Sequence, residues 1–394
     1  MPFNYINKQL CEQREKSRYR ERFCIKIQND DSNLITIAGK SYINFSSNDY
    51  LGLNNHIDIK KALQEGADKF GVCASSSSLV TGFHYAHQAL EDDICQWLNT
   101  PRCLLFSSGY AANLALFHGL ASSSSPQDKP HYFLDKLSHA SMIDGAYQTQ
   151  AAKKAFVSRF NHNNTAQLKK LLQQSKNENK LIASEGVFSM DGCQAKVNEL
   201  AHLAKTEQAW LYLDDAHSIG VIGEQGQGSY GLLDDSNQID ITMATFGKAI
   251  GTTGAFLTCS NDLHDYLINF SRHYIYSTAI SPAIAWATKK SIQLIQNEQW
   301  RREKIKTLSE LFSDLLAPKI ELVSTQSSIH AIIIGDEKTA LNVSEQLKEQ
   351  GIWVTAIRPP TVAINSSRLR VTICSNHNKS DIIKLAENLN KALG

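Results

Sequence analysis

The sequence predicts an α/β protein: a mostly parallel central sheet with helices on both faces, plus a smaller α+β C-terminal domain. Three observations predict it. Strand and helix patterns alternate from about residue 131 to 258, and such alternation buries parallel strands between two layers of helices. Three of those strands end in Glu185, Asp214 and Thr245, on the side of the sheet where open α/β folds bind ligands. Beyond about residue 315 the rhythm changes to strand, helix, strand, strand, helix, as in a separate α+β unit. The chain accordingly divides into an N-terminal helix and hairpin segment (1–50), a large domain (51–285) and a small domain (286–394).

Composition narrows the class. A chain of 394 residues, 42% hydrophobic and 20% charged, has enough length for two domains and an ordinary globular core. Its net charge of +1 offers no nucleic-acid footprint. No apolar run approaches the roughly 20 residues that span a bilayer. The start, Met1-Pro-Phe-Asn-Tyr-Ile-Asn-Lys8, lacks the basic-then-apolar pattern of a secretion signal. Eight scattered cysteines with no Cys-x-x-Cys pair argue against a metal or disulfide framework. A cytoplasmic enzyme without a metal site is expected.

In chain order, residues 5–22 read as a polar helix. Leu34–Ile37 and Ser41–Phe45 alternate around Ala38-Gly-Lys40 as a hairpin, leading into the polar loop Ser46–Leu53. The small-residue stretch Gly71–Gly82 carries Leu79 and Val80 and reads as a loop held against the core, ahead of a helix from His84 to Leu98. Cys103–Phe106 is a short buried strand, and Ser107-Ser-Gly-Tyr-Ala-Ala-Asn113 opens a helix. Small residues at a helix start favour a phosphate on the free N–H groups. The run contains no Gly-x-Gly-x-x-Gly, so a single phosphate is expected rather than a dinucleotide. Downstream, Tyr132–Leu134, Lys154–Ser158, Lys180–Glu185, Trp210–Asp214, Ile241–Ala244 and Ala255–Thr258 read as strands. Helices follow Ser141 and lie around Leu168–Leu172 and Asn198–Thr206. After a helical stretch near 281–315 come strands His330–Ile334, Trp353–Ile357 and Leu369–Ile373, with helices Lys338–Gln350 and Lys379–Leu393.

The chemistry concentrates in Thr245-Phe-Gly-Lys-Ala-Ile-Gly-Thr-Thr-Gly254 and, upstream, Leu211-Tyr-Leu-Asp-Asp-Ala-His217. A lysine in a glycine-lined turn together with an acid at a strand end is what pyridoxal phosphate requires. The lysine forms the Schiff base, and the acid keeps the ring nitrogen protonated so that the ring can withdraw electrons.

Six motifs then carry a family resemblance. Asn48-Asp-Tyr-Leu-Gly52, Ser138-His-Ala-Ser141, Glu185-Gly-Val-Phe-Ser-Met-Asp-Gly192, Asp214–Gly228, Thr245-Phe-Gly-Lys248 and Ile275-Tyr-Ser-Thr278 resemble the α-oxoamine synthases. These fold-type I pyridoxal phosphate transferases join an amino acid to an acyl thioester. Ala356-Ile-Arg-Pro-Pro-Thr-Val362 looks most like members of biotin biosynthesis that condense L-alanine with a pimeloyl thioester, carried on coenzyme A or acyl carrier protein.

The resemblance implies roles for individual residues. Lys248 would hold the cofactor and then remove the alanine Cα proton. Asp214 would face the ring nitrogen, His217 the phenolic oxygen and His139 the ring face. Gly109, Tyr110 and Thr245 would hold the phosphate, and Ser189 and Glu185 would complete the cofactor site. Arg370 would pair with the alanine carboxylate, with Arg368 a competitor because strand alternation sends both to one face. Asn48 and Thr361 would line the substrate path. Arg20, or else Arg22, would meet the acyl group.

A homodimer is also implied, with Ser277 and Thr278 reaching the partner chain's phosphate. Read locally, the same two hydroxyls could instead cap a helix ahead of Pro282. Two departures from the family pattern, Ala74-Ser-Ser-Ser-Ser78 for a glycine-rich run and Ala363 for a proline, bear on acyl-chain preference. Rival readings are a glycine C-acetyltransferase and a non-catalytic scaffold subunit. Lys248, Asp214 and His217 together weigh against the scaffold.

Overall fold

The computed structural model describes residues 2–27, 33–123, 125–233 and 239–394. Contacts divide the chain into two compact units. One comprises 49–189 with 194–302, the other 1–48 with 190–193 and 303–394.

The chain opens with α1 (Tyr5–Glu15), none of whose residues is buried. The helix expected over 5–22 thus ends early. Ser17 takes a left-handed φ of 54°, and Arg18 is drawn to Glu337 at 2.8 Å. An exposed helix has no packing to prolong it past such a break. Three strands follow: β1 (Ile25–Ile27), β2 (Leu34–Ile37) and β3 (Lys40–Asn44). The sequence patterns had not indicated β1. The β2–β3 hairpin turns on Ala38 and Gly39, with φ of 49° and 81°, the two left-handed residues of a tight hairpin turn.

The larger unit begins with α2 (Ile57–Phe70), α3 (Tyr85–Leu98), β4 (Arg102–Phe106) and α4 (Gly109–Leu120). Next come β5 (His131–Asp135), α5 (Ala140–Ala151), β6 (Phe156–Phe160), α6 (Thr165–Gln174), β7 (Lys180–Glu185), α7 (Val197–Thr206) and β8 (Trp210–Asp214). Strands β9 (Ile241–Thr245) and β10 (Ala255–Cys259) precede α8 (Asn261–Phe270), α9 (Arg272–Ile275) and α10 (Pro282–Asn297). The seven strands lie in the order β4-β10-β9-β8-β7-β5-β6.

Only β10 runs against its neighbours in this sheet. The reason is the short connection 246–254. A parallel return needs a crossover of a dozen or more residues, so the chain doubles back and Lys248 is left on the turn. Beneath the sheet, Phe117 packs edge-on against Tyr132 at 5.0 Å and Tyr212 at 6.0 Å, all three fully buried. Truncating such a phenylalanine costs about 3–5 kcal/mol.

Helix α11 (Trp300–Leu315) carries the chain into the smaller unit. There β11 (Ile329–Gly335), α12 (Glu337–Glu349), β12 (Ile352–Trp353), β13 (Thr355–Ile357), β14 (Ser367–Thr372) and α13 (Lys379–Leu393) complete the fold. The single strand expected over Trp353–Ile357 is divided. Strand β12 pairs parallel to β3, whereas β13 pairs antiparallel to β14. The fully buried Val354 sits between them, in a core with Phe45, Phe312 and Leu369. Two short strands serve two sheets because that core separates the partners.

Candidate active site

In the larger unit, Glu185 pairs in register with Asp214, and Asp214 with Met243. The ends of β7, β8 and β9 therefore open together on a cavity of about 210 Å³, which Lys248, His217, Asp214, Glu185, Thr245 and His139 line. Gly109, Tyr110 and Asn113 border it from the start of α4.

Lys248 Nζ lies 2.9 Å from His217 Nε2, and His217 Nδ1 lies 2.5 Å from the hydroxyl of Tyr50, a fully buried residue. A charged Lys248 donates to Nε2, which leaves Nδ1–H to donate to Tyr50.

The two adjacent aspartates separate by strand alternation. Asp214 accepts from Asn113 Nδ2 at 3.0 Å and from the Ala216 N–H at 3.1 Å, and it lines the cavity. Asp215 is absent from that lining. It is fully buried and accepts from Ser218 Oγ at 2.6 Å, Ser229 Oγ at 2.5 Å and the Ser229 N–H at 2.6 Å. Burial still pushes Asp215 up to about 6. A Cβ on Gly186 or Gly228 would collide with its oxygens, so these glycines make room for a structural carboxyl.

Glu185 is buried, and its Oε2 accepts from the Ser189 N–H at 3.3 Å. Burial first, then the nearby Asp214, raises its pKa well above the usual carboxyl range. Its Oε1 and the Thr245 Oγ1 are buried polar atoms with no hydrogen-bond partner. Both are orphans only while the protein is considered alone, and both belong to cavity residues.

The start of α4 supplies the other half. Ser108 caps it, accepting from the Ala111 N–H at 3.2 Å, while the first-turn N–H groups have no partner within a helix. A Cβ on Gly109 would stand 2.5 Å from Thr245 Cγ2. Open backbone at a helix N-terminus suits a phosphate, the strand-end acid suits a ring nitrogen and the amine suits an aldehyde carbon. The residues fit pyridoxal phosphate.

Other expected residues fall as follows. Tyr110 turns its hydroxyl to Asp144. His139 caps α5, its Nδ1 accepting from the Ser141 N–H at 3.3 Å. Ser189 is buried beside Glu185 but is absent from the cavity lining. Ser277 and Thr278 are also absent from it. Thr278 bridges Ser77, and the Ala279 N–H donates to Ser76 O at 3.0 Å. The residue at the cap position of α10 is Ser281, so neither hydroxyl caps that helix.

In the smaller unit, Arg370 is buried on β14 and donates to Asn48 Oδ1 at 3.2 Å and Thr372 Oγ1 at 3.2 Å. Arg368 instead pairs with Asp191. Arg20 donates to Thr361 Oγ1 at 3.5 Å, and both line a cavity of about 1000 Å³ from whose lining Arg22 is absent. Sequence reasoning missed Tyr50, Asn113 and Ser141. Each lay inside a motif already singled out, but its role needs a partner distant in sequence. None of the eight cysteines is in a disulfide. Among the described residues there is no metal-binding cluster, and no helix is long and apolar enough to cross a membrane.

Comparison with known proteins agrees with this geometry. The sequence profile of the family aminotransferase class I and II matches residues 40–389. A Photobacterium profundum protein named 8-amino-7-oxononanoate synthase is 43% identical over 396 residues, spanning 99% of this chain and 97% of that one. The structure of 8-amino-7-oxononanoate synthase from Francisella tularensis matches with a TM-score of 0.75 at 30% identity, over 89% of this chain and 98% of that one. A serine palmitoyltransferase from S. paucimobilis, solved with a pyridoxal phosphate–myriocin adduct, matches with a TM-score of 0.88 at 26% identity, over 99% and 97%. The fold expected from the strand and helix alternation is the one these proteins share, and the cofactor its lysine turn implied is pyridoxal phosphate. The chain belongs to the class I and II aminotransferase family of pyridoxal phosphate enzymes.

Proposed function

We propose that this chain is an acyltransferase that condenses L-alanine with a pimeloyl thioester, releasing carbon dioxide and the thiol carrier. The product is 8-amino-7-oxononanoate, and the pathway is biotin biosynthesis. The carrying observation is Lys248 Nζ, 2.9 Å from His217, in the cavity that the buried Asp214 lines. Identity of 43% across 99% of the chain with a protein named for that product supports the substrates.

Pyridoxal phosphate supplies the electron sink that makes the alanine Cα proton acidic. The remaining work belongs to side chains. Lys248 would hold the cofactor covalently, and its Nζ would serve as the base that takes the alanine Cα proton. Asp214 holds positive charge at the ring nitrogen, with Asn113 and the Ala216 N–H fixing its carboxylate. His217, braced by Tyr50, would hydrogen-bond the phenolic oxygen, and His139 would cover the ring. Thr245, Gly109 and Tyr110 would bind the phosphate, Ser189 would reach the oxygen side of the ring, and Glu185 would complete the cofactor site. Arg370 binds the alanine carboxylate through two parallel N–H bonds. Asn48 and Thr361 line the substrate path, and Arg20 meets the acyl substrate.

The active form is a homodimer in which Ser277 and Thr278 serve the partner's phosphate site. Its support is an exposed apolar surface. Val72 is 76% exposed, Val80 73% and Tyr276 71%, on segments that pair at Ser77 and Thr278. Apolar surface of this kind marks an interface.

Assays pairing alanine or glycine with pimeloyl and acetyl thioesters test the reaction. Oxononanoate from alanine and either pimeloyl carrier supports it, and preferred use of glycine with acetyl-CoA overturns it. For the dimer, a Lys248→Ala chain is coexpressed with one whose Ser277 and Thr278 carry bulky replacements. Recovered activity supports the shared site. No recovery from verified heterodimers, or a single-chain mass in solution, refutes it.

A further inference from the structure

Two buried polar residues beside the cavity, Asn113 and Ser141, form a continuous hydrogen-bonded path between Asp214 and His139. Both are fully buried, Asn113 on α4 and Ser141 in the first turn of α5. Asn113 Nδ2 lies 3.0 Å from Asp214 Oδ2 and 2.8 Å from Ser141 Oγ. The Tyr212 hydroxyl meets Asn113 Oδ1. Ser141 Oγ lies 2.7 Å from His139 Nδ1, and the Ser141 N–H reaches that same nitrogen at 3.3 Å.

Donor and acceptor chemistry places every proton on this path. A carboxylate only accepts, so Asn113 must turn its NH2 group to Asp214. Its second N–H then serves Ser141. Its oxygen accepts from Tyr212, whose phenol burial keeps protonated. The Ser141 N–H donates to His139 Nδ1, which is therefore an acceptor, so the Ser141 hydroxyl, while accepting from Asn113, gives its own proton to that nitrogen. The Nδ1 of His139 thus receives a hydroxyl and a backbone N–H. A ring nitrogen that accepts carries no proton, and the neutral ring then bears its proton on Nε2.

We infer that Asn113 and Ser141 are positioning residues that hold His139 as the neutral imidazole protonated on Nε2, and that one amide ties that ring to Asp214. The ring enters the chemistry as a hydrogen-bond donor through Nε2, because its Nδ1 lone pair is occupied. Ser141 acts through His139 alone, whereas Asn113 serves both groups. The importance of the assignment rests on the proposed function, in which His139 covers the cofactor ring.

The test is nitrogen NMR of the ¹⁵N-histidine holoenzyme, with the His139 signals assigned by their loss in His139→Asn. In the parent, a bare Nδ1 and a protonated Nε2 are expected. Ser141→Ala should replace that pattern by averaging between tautomers and lower kcat by about 3–10-fold, the loss of one net hydrogen bond. Ser141→Cys fills similar space with a weaker donor and should fall between the two. In the His139→Asn background, Ser141→Ala should cost less than about 2-fold, because a residue acting through another has no effect once that partner is gone. A proton on Nδ1 in the parent, or an equal loss in both backgrounds, overturns the inference. If the alanine variant does not fold, the parent spectrum and the cysteine variant decide it. The spectrum needs no turnover, so an enzyme with the expected tautomer but no oxononanoate synthesis would refute the reaction and leave the tautomer standing.

Discussion

The Nζ of Lys248 lies 2.9 Å from Nε2 of His217, and that histidine is held from its far side by Tyr50 at 2.5 Å. The amine on the β9–β10 turn is therefore aimed by a group rooted elsewhere in the unit. Lys248→Ala removes the covalent anchor and the base together. Oxononanoate formation should fall below about a thousandth of the parent rate, since a lost general base alone costs roughly 10²–10⁴. Tyr50→Phe keeps the ring and deletes one hydrogen bond. About 3–10-fold lower kcat is expected, with KM for the thioester unchanged; an unaltered kcat would show that Tyr50 does not brace His217.

The neighbouring aspartates should behave differently. Asp214→Asn is expected to slow alanine-dependent exchange of the Cα hydrogen by roughly two orders of magnitude, the scale of a lost preorganised electrostatic contact. Spectral binding of alanine should be nearly intact. Unchanged exchange would remove Asp214 from the ring nitrogen.

Asp215 governs stability instead. Burial pushes it up to about 6, above the roughly 3.9 of an unfolded chain. A group that holds its proton more tightly when folded contributes stability fully below about pH 4 and loses it as pH rises through about 6. A shift of about 2 units corresponds to roughly 3 kcal/mol. Urea unfolding between about pH 4 and 7 should show the parent losing stability more steeply than Asp215→Asn, by up to that amount. Parallel profiles would show that Asp215 ionises as readily folded as unfolded.

Gly109→Ala should loosen the cofactor without unfolding the protein. The new methyl would stand 2.5 Å from Thr245 Cγ2, and relieving such overpacking costs about 1–3 kcal/mol. Because the strain falls on the phosphate cradle, about tenfold weaker retention of pyridoxal phosphate on dialysis is expected. Retention equal to the parent's would place the phosphate elsewhere.

The two arginines of β14 should separate binding from folding. Arg370→Ala is expected to raise KM for alanine by about 10-fold or more, the scale of a lost charged hydrogen bond. Arg368→Ala leaves Asp191 without the partner it has in this structure and should destabilise the protein by about 3 kcal/mol, with KM for alanine nearly unchanged. Equal KM effects would mean that both arginines meet substrate.

Local pattern carried much of this protein. The alternation that predicted a helix-covered parallel sheet is a short-range property, as is the polar ending of β7, β8 and β9. Small residues at the start of α4 and glycines around Lys248 were equally legible, because backbone conformation and helix-end chemistry act within a few residues. Only tertiary structure gave Asp214 and Asp215, and likewise Arg368 and Arg370, their different partners, since those partners lie on other elements of the fold. Tyr50 and His217 meet across 167 positions, and Asn113 and Asp214 across 101. The early end of α1 and the split of β12 from β13 have the same origin. Periodicity reports which face of a segment is buried, but contact with distant residues decides where the segment stops and which sheet it joins.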